Sequence, residues 1–240
     1  MFVKILFLCL VCYICCSAAS VPFITKCKAA DSKCLKSSAN AVVPIFVHGL
    51  KEYGVEILDP MILKQPIDSS VPGLKLIQKN MTVTGLKDCT FESIYRDKAK
   101  SKLGGKILCN ADVTGQYEMS GRLLILNVKG KGDFRSLLNQ ILITIDVDVG
   151  EKVGKDGIKY WDLKRFTHSF ELLQKCELEF KNLFTGSEVL DRVANDVIST
   201  NSNDVIKEIG HPVVKAIIVK VIENIRRFFH RIPPADLALD

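Results

Sequence analysis

Between residues 74 and about 180 the apolar side chains recur at every second position. In "KILCNADVTGQYEM", Ile107, Cys109, Ala111, Val113, Tyr117 and Met119 share one parity. Lys106, Asn110, Asp112, Thr114, Gln116 and Glu118 share the other. "QILITIDVDV" repeats the pattern, with Ile141, Ile143, Ile145, Val147 and Val149 set against Thr144, Asp146 and Asp148. Successive strand residues point to opposite faces, so this spacing predicts a sheet with one dry and one wet face, as antiparallel sheets have. "MTVTGLKDCTFESIY", "GRLLILNVKG", "IKYWDLKRFTHSFEL" and "CELEFKNLF" read as further long strands of a meander, with turns at "DKAKSK" and "EKVGKDG".

After residue 180 the period changes to that of a helix. Ser187 is placed to cap a helix carrying Val189, Leu190, Val193, Ala194, Val197 and Ile198, and "TNSND" interrupts it. A second helix is expected over 203–231, roughly 43 Å long at 1.5 Å per residue, bent near its start by Pro212. Val214, Ile217, Ile218, Val221, Ile222, Ile225, Phe228 and Phe229 form one broad stripe, opposite Lys215, Lys220, Glu223, Arg226 and Arg227. Such a stripe has to be covered, and the dry face of the sheet is the surface long enough to do it. The fold class expected from pattern alone is therefore α+β, a long C-terminal helix lying in a curved antiparallel β-sheet. Near the N-terminus, Asp31 precedes apolar residues at helical spacing, Leu35, Ala39, Val42, Val43 and Phe46. Pro44 is expected to kink or end that helix. "GVEILDP" then leads into a loop with turn signals at Pro60, Pro66 and "VPG".

Lys4 is followed by "ILFLCLVCYICCSAAS", one charge, about a dozen apolar residues and then small ones, which is the pattern of a secretory signal peptide. It falls short of the about 20 apolar residues of a membrane span. Residues 1–19 are read as the signal and 20–240 as the secreted chain. Of nine cysteines, Cys9, Cys12, Cys15 and Cys16 leave with the signal, so Cys27, Cys34, Cys89, Cys109 and Cys176 remain. An oxidising compartment favours pairing, and the odd count leaves one thiol over. Cys27 and Cys34 are closest and suit a short disulfide loop. A zinc site needs further ligands at suitable spacing, and His48, His168, His211 and His230 are scattered. A hairpin with its tip near Ala99 sets Cys89 opposite Cys109, within cross-strand reach, and leaves Cys176 as a buried thiol. Neither metal nor cofactor is expected. The formal charge of +6 comes without a dense Lys/Arg block, which argues against nucleic acid as a partner. No G-x-S-x-G, H-E-x-x-H or phosphate loop is present, and the carboxylates are dispersed, so no enzyme activity is expected. His168, between aromatics in "RFTHSF", reads as a paired or half-exposed strand histidine rather than a catalytic one. "RRFFHR" at the helix end has two readings, charge that favours the C-terminal dipole and transient contact with anionic membranes.

In order along the chain, "CKAADSKCL", "HGLKEYGVEILDP", "MTVTGLKDC", "GQYEMSGRLLILNVKGKGDF", "FKNLFTGSEVL" and "RRFFHRIPPADL" together resemble the takeout/juvenile hormone-binding proteins, secreted carriers of insects. The likeness spans nearly the whole chain after the signal. The fourth stretch, similar to the family's G-x-Y-x3-G…G-x-G run, is the most specific. The resemblance implies one takeout-like domain over 20–240, with a strongly curved sheet wrapped around the long helix and an elongated apolar tunnel inside. It implies a disulfide at the paired N-terminal cysteines, near the end where the family's ligand entrance is thought to lie. Some members are linked to circadian output. The hormone-binding branch carries a second disulfide to the C-terminal helix. Here Cys176 lies near its first position but no cysteine follows, so the chain is closer to the takeout-like branch. Asp204 stands where the family often has an aromatic residue.

The function expected is a secreted, monomeric carrier of a hydrophobic small molecule, a juvenile hormone-like terpenoid or a long-chain lipid. The alternative is a membrane- or lipopolysaccharide-binding defence protein of related helix-in-sheet fold, and a secreted hydrolase is a third class. The expected ligand-binding set is Ile107, Cys109, Ala111, Val113, Tyr117, Ile141, Ile143 and Ile145 on the dry sheet face, Ile217, Ile218, Val221, Ile225 and Phe228 on the helix, and the bulky Trp161, Phe166 and Phe170. For each of these, a solid core is the competing reading. Tyr117 is the polar candidate, since its hydroxyl suits a ligand oxygen. Asn80 begins an N-x-T sequon and is expected at an exposed strand start, glycosylated.

Overall fold

The computed structural model describes residues 21–184 and 186–240. The expected signal peptide, 1–19, lies outside the described residues. The chain runs α1 (Ser32–Val47), β1 (Met61–Leu63), β2 (Ile67–Asp68), β3 (Leu74–Thr84), β4 (Thr90–Asp97), β5 (Lys102–Leu123), β6 (Leu126–Val153), β7 (Lys159–Leu172), β8 (Glu177–Phe180), α2 (Glu188–Thr200), α3 (Ser202–Ile209), α4 (His211–Phe229) and a last turn, α5 (Pro234–Leu237). All eight strands form one antiparallel sheet, which is α+β architecture with an open sheet. Its main path is β1-β3-β5-β6-β7; β2 pairs with β3, β4 with β5 and β8 with β6.

β5 and β6 are 22 and 28 residues long. A flat strand of the latter length would run roughly 90 Å. The sheet coils instead, helped by register shifts at Lys79/Thr82, Phe91/Ser93, Cys109/Ala111 and Val147/Val149, since bulges bend and twist a strand. The coil is measurable. β4 and β7 are separated by two strands, which on a flat sheet would set them about 14 Å apart. Yet the Arg96 guanidinium of β4 lies 5.2 Å from the Trp161 ring of β7.

α4 fills the coil. At one end His211 meets Phe170, with ring centroids 4.7 Å apart, and at the other Phe229 meets Trp161 at 5.5 Å. Eighteen helical rises span about 27 Å and nine strand rises about 30 Å, so helix and strand match end to end and run antiparallel. One core of Leu, Ile, Val, Met and Phe side chains extends from α1 through the sheet to α4.

Several boundaries differ from the sequence reading. The expected helix 203–231 is two helices, because the chain breaks at Gly210 and Pro212 sits in the first turn of α4, where its missing N–H is not needed. Pro44 does not end α1, which runs three residues further. "MTVTGLKDCTFESIY" is two strands, divided at Gly85 (φ 94°) and a short 3-10 turn, Leu86–Asp88. "GRLLILNVKG" holds the β5–β6 reversal, with Leu123 facing Leu126. On α2 only Ala194 and Ile198 are buried, while Val189, Leu190 and Val193 are exposed. Asn80 is exposed but lies inside β3, at its bulge with φ 52°, and its amide donates to Gln116.

Candidate functional site

Cys27 is bonded to Cys34 and Cys89 to Cys109, with Cα separations of 5.7 and 4.4 Å. Thr90 faces Leu108, and one step further along the ladder the two cysteines of the second pair oppose each other. Cys176 is a buried free thiol. Burial pushes it above the ordinary thiol range.

The first disulfide sits where residues 27–29 meet residues 238–240. Cys27 bridges in parallel to Ala238, the Leu239 N–H donates to the Cys27 carbonyl, and the Ala29 N–H donates to the Asp240 carboxylate. Arg96 also binds Asp240. Beneath this knot lies an aromatic cluster in which Phe228 touches Phe23, Phe46, Tyr53 and Phe229 at centroid distances of 5.2–6.1 Å. The staple, the last turn and Trp161 thus share one end of the coil.

The expected ligand-binding residues divide in two. Cys109, Ala111, Val113, Tyr117, Ile141, Ile217, Ile218 and Phe228 are buried in the continuous core. Ile107, Ile143, Ile145, Trp161, Phe166, Phe170, Val221 and Ile225 pack against that core but stay partly exposed, and Val149 and Phe229 join them. The two sets have the same period in sequence. What separates them is position. Most of the half-open set lies on β6 and β7, with Ile107 on β5 and Val221 and Ile225 on α4, whereas the buried set lies on β5, at Ile141 of β6 and on α4. Residues on the concave face of a coiled sheet retain access only where the helix does not fill the coil. This half-open stretch is the candidate site.

Tyr117 is not available as the polar anchor. It is 1% exposed, its ring stands edge-on to Phe180 at 4.9 Å, and its hydroxyl donates to the Lys181 carbonyl at 2.8 Å. Burial raises its pKa far above the ordinary phenol range. His168, by contrast, lies on the inner face of β7 opposite Ile145, between Phe166 and Phe170. Its Nε2 is sealed and has no hydrogen-bond partner among the described residues. Burial, with the charges of His211 and Lys215 behind it, holds the imidazole below its ordinary pKa. Its signal in the sequence was its parity with Phe166 and Phe170.

The basic helix end is engaged within the molecule. Arg226 donates to the Leu163 carbonyl at 2.7 Å, Arg227 pairs with Glu56, His230 lies 2.9 Å from Asp162 and Arg231 donates to the Glu52 carbonyl. Burial works to raise the Asp162 carboxyl, but hydrogen bonds from Lys164 and His230 outweigh it and leave it below its usual range. Two open depressions, of about 600 and 540 Å³, lie on the outer side along β5, β6, β8 and α2. Their linings, with Asp133, Arg135, Glu179 and Lys181 in one and Lys175, Glu177 and Asp196 in the other, are too polar for an apolar ligand, and neither includes a residue of the expected set. Among the described residues no cluster of metal-ligating side chains occurs and no helix is long and apolar enough to cross a membrane.

Comparison with known proteins agrees with this geometry. The crystal structure of Takeout 1 from Epiphyas postvittana superposes with a TM-score of 0.86 at 28% identity, covering 90% of this chain and all of that one. The circadian clock-controlled protein daywake of Drosophila melanogaster is 24% identical over 181 residues, 70% of this chain and 68% of the fly protein. The model of the haemolymph juvenile hormone binding proteins matches residues 6–239. With its coiled sheet, its enclosed helix and a match over almost its full length, the chain belongs to the haemolymph juvenile hormone binding protein family.

Proposed function

We propose that this protein is a secreted carrier that holds a hydrophobic small molecule, a terpenoid or a long-chain lipid, in an internal tunnel between the coiled sheet and α4. The observation that carries the reading is the half-open inner face. Ile107, Ile143, Ile145, Phe166, Phe170, Val221 and Ile225 face inward yet are not sealed, and an apolar surface in that position gains about 25 cal/mol per Å² when a ligand covers it. Two disulfides support folding in an oxidising compartment. The family and the likeness to Takeout 1 support binding rather than catalysis. Glycosylation at exposed Asn80 belongs to the same secreted reading, and a drop in mass on deglycosylase treatment is its sign. Expression under the clock, as the fly relative's name states for that protein, is tested by sampling transcript through the day.

The deciding experiment is native mass spectrometry of the protein purified from its secreting host, followed by solvent extraction of what it holds. A carrier gives a mass excess that disappears on extraction and reappears as an apolar compound. A protein that stays bare, and takes up no apolar dye afterwards, is not a carrier.

A further inference from the structure

The β5–β6 hairpin reverses through two residues, Leu124 and Ile125. Two-residue reversals favour Asn, Gly and Asp, which take a left-handed backbone at little cost and are at ease in water. Here the left-handed position is a leucine, Leu124 with φ 53°, and the next is an isoleucine left 77% exposed. Leu124 and Leu126 pack in part against the core, which offsets some of the cost. Ile125 gains nothing comparable and is the most exposed large apolar side chain among the described residues. A turn that breaks local rules and holds an isoleucine in water has its compensation outside the folded chain.

Charge selects what that compensation is. From Met119 to Gly132 the hairpin carries Arg122, Lys129 and Lys131 and no carboxylate. The ladder sets Lys75 of β3, Ser120 of β5 and Lys129 of β6 in one row across the sheet. All three are exposed. The two lysines stand two strands apart, about 10 Å, and exposed Arg122 lies two residues nearer the turn, its Nε donating to the Leu124 carbonyl at 3.0 Å. Lys131 faces Glu118, which Lys79 holds at 2.6 Å. Among the described residues no ion pair joins Lys75, Arg122 or Lys129 to a carboxylate. α2 starts beside the same hairpin, because Phe184 bridges to Lys129 and its N–H donates to Asp191 at 2.7 Å. The first two turns of α2 expose Val189, Leu190 and Val193.

We propose that the β5–β6 tip docks on an anionic phospholipid membrane. Ile125 enters the headgroup region, and Lys75, Arg122 and Lys129 lie against the lipid phosphates. One projecting apolar residue backed by free cations fits a soft anionic layer that closes around it. A stable protein partner needs a wider complementary face. The tip is at the far end of β5 from Leu103, whose partner Arg96 binds Asp240 beside the N-terminal disulfide. The basic "RRFFHR" segment, engaged within the molecule, takes no part. The proposal does not depend on what the tunnel holds.

The test is co-sedimentation of the full-length protein, purified from its secreting host, with vesicles of phosphatidylcholine alone and of phosphatidylcholine mixed with phosphatidylserine. Wild type is expected to bind the mixed vesicles at least about tenfold more tightly, since each cation near a charged surface contributes about fivefold. Ile125→Asn adds no charge and places a favoured residue in the turn. It is expected to keep the melting temperature and to weaken binding about tenfold. Lys75→Gln and Lys129→Gln are each expected to weaken binding to the mixed vesicles about fivefold. Val153→Asn, at an equally open apolar position on the β6–β7 hairpin, should bind as wild type does. The proposal is overturned if wild type does not prefer the mixed vesicles, if Ile125→Asn binds undiminished, or if Val153→Asn weakens binding as much. Should Ile125→Asn lose stability, undiminished binding by both lysine variants overturns it instead. If wild type ignores vesicles but self-associates, and Ile125→Asn is monomeric, the tip is a contact between copies of this chain and the lipid assignment falls.

Discussion

The hydroxyl of Tyr117 donates to the carbonyl of Lys181 where the chain crosses the β5–β6 hairpin on its way to α2. That crossing explains the G-x-Y…G-x-G stretch in physical terms. A Cβ on Gly130 would collide with the carbonyl of Asn182, and one on Gly132 with that of Lys181. Across the hairpin, a Cβ on Gly115 would lie 2.8 Å from the Met81 side chain, which the β3 bulge pushes over it. The stretch is a docking surface for backbone and has no contact with the half-open face. Asp59, in "ILDP", has a similar role. Its carboxylate accepts from the Gly85 and Lys87 N–H groups and so binds the "GL" break between β3 and β4. Tyr117→Phe should cost about 1–2 kcal/mol in urea unfolding, because the Lys181 carbonyl loses its partner, with ligand affinity unchanged. A loss of affinity at unchanged stability would restore Tyr117 to the site. Alternation in the sequence placed Tyr117 on the dry face, and His168 has the parity of Phe166 and Phe170. The alternation carried no information on which of the two hydroxyl or imidazole groups already had a partner, because that depends on residues 64 positions away in the first case.

Exposed strand edges invite pairing with other chains, and the edges here are closed by side chains from helices. The Asn40 amide of α1 accepts from the Phe91 N–H and donates to the Phe91 carbonyl, as a neighbouring strand would. The Asn195 amide of α2 does the same to Phe180 of β8. Arg226 of α4 covers the Leu163 carbonyl of β7. Asn195→Leu leaves two buried backbone groups bare and should cost about 2–4 kcal/mol, with faster aggregation on light scattering. Unchanged stability and scattering would show that β8 needs no cover. The tie between α4 and the loop before β1 is electrostatic. Hydrogen bonds from Arg227 and then Lys220 bring the Glu56 carboxyl down to about 2. Its native pKa lies below the unfolded value, so its contribution is full above about 4.5 and fades as pH falls towards 2. Glu56 is 46% exposed, so screening limits the contribution to below about 1 kcal/mol. Glu56→Gln should flatten the fall in melting temperature across that window. An acid limb of wild-type steepness would place the titration elsewhere. At this scale the sequence was mostly legible. Strand faces, the Asp31 and Ser187 caps and the hairpin that pairs Cys89 with Cys109 follow from short-range pattern. The break at Gly210 was signalled by "GHP" but admits both a bend and a fresh start, and the packing of α3 against α4 decides between them.

For the molecule as a whole, period cannot report empty space. Val113 and Val221 each sit on an apolar stripe, yet Val113 is 3% exposed in solid core and Val221 borders the half-open stretch. A bulky replacement separates the two environments. Val113→Trp should overpack and cost about 1–3 kcal/mol or more. Val221→Trp should leave the melting temperature near that of wild type and abolish binding of a fluorescent fatty acid analogue. Equal destabilisation by both would mean that the coil is filled. The buried thiol between β7 and β8 bears on the same question. The Cys176 N–H and carbonyl are held by Asn203 and Ser202 of α3, and α3 leads directly into α4. A thiol reagent in solution therefore reacts only when this region opens. Anything that settles against α4 keeps it shut, and ligand at a hundred times its Kd should slow the reaction about a hundredfold. Cys176 is thus a built-in timer, and the rate at which it is labelled can rank a library of compounds by how firmly each holds this region closed.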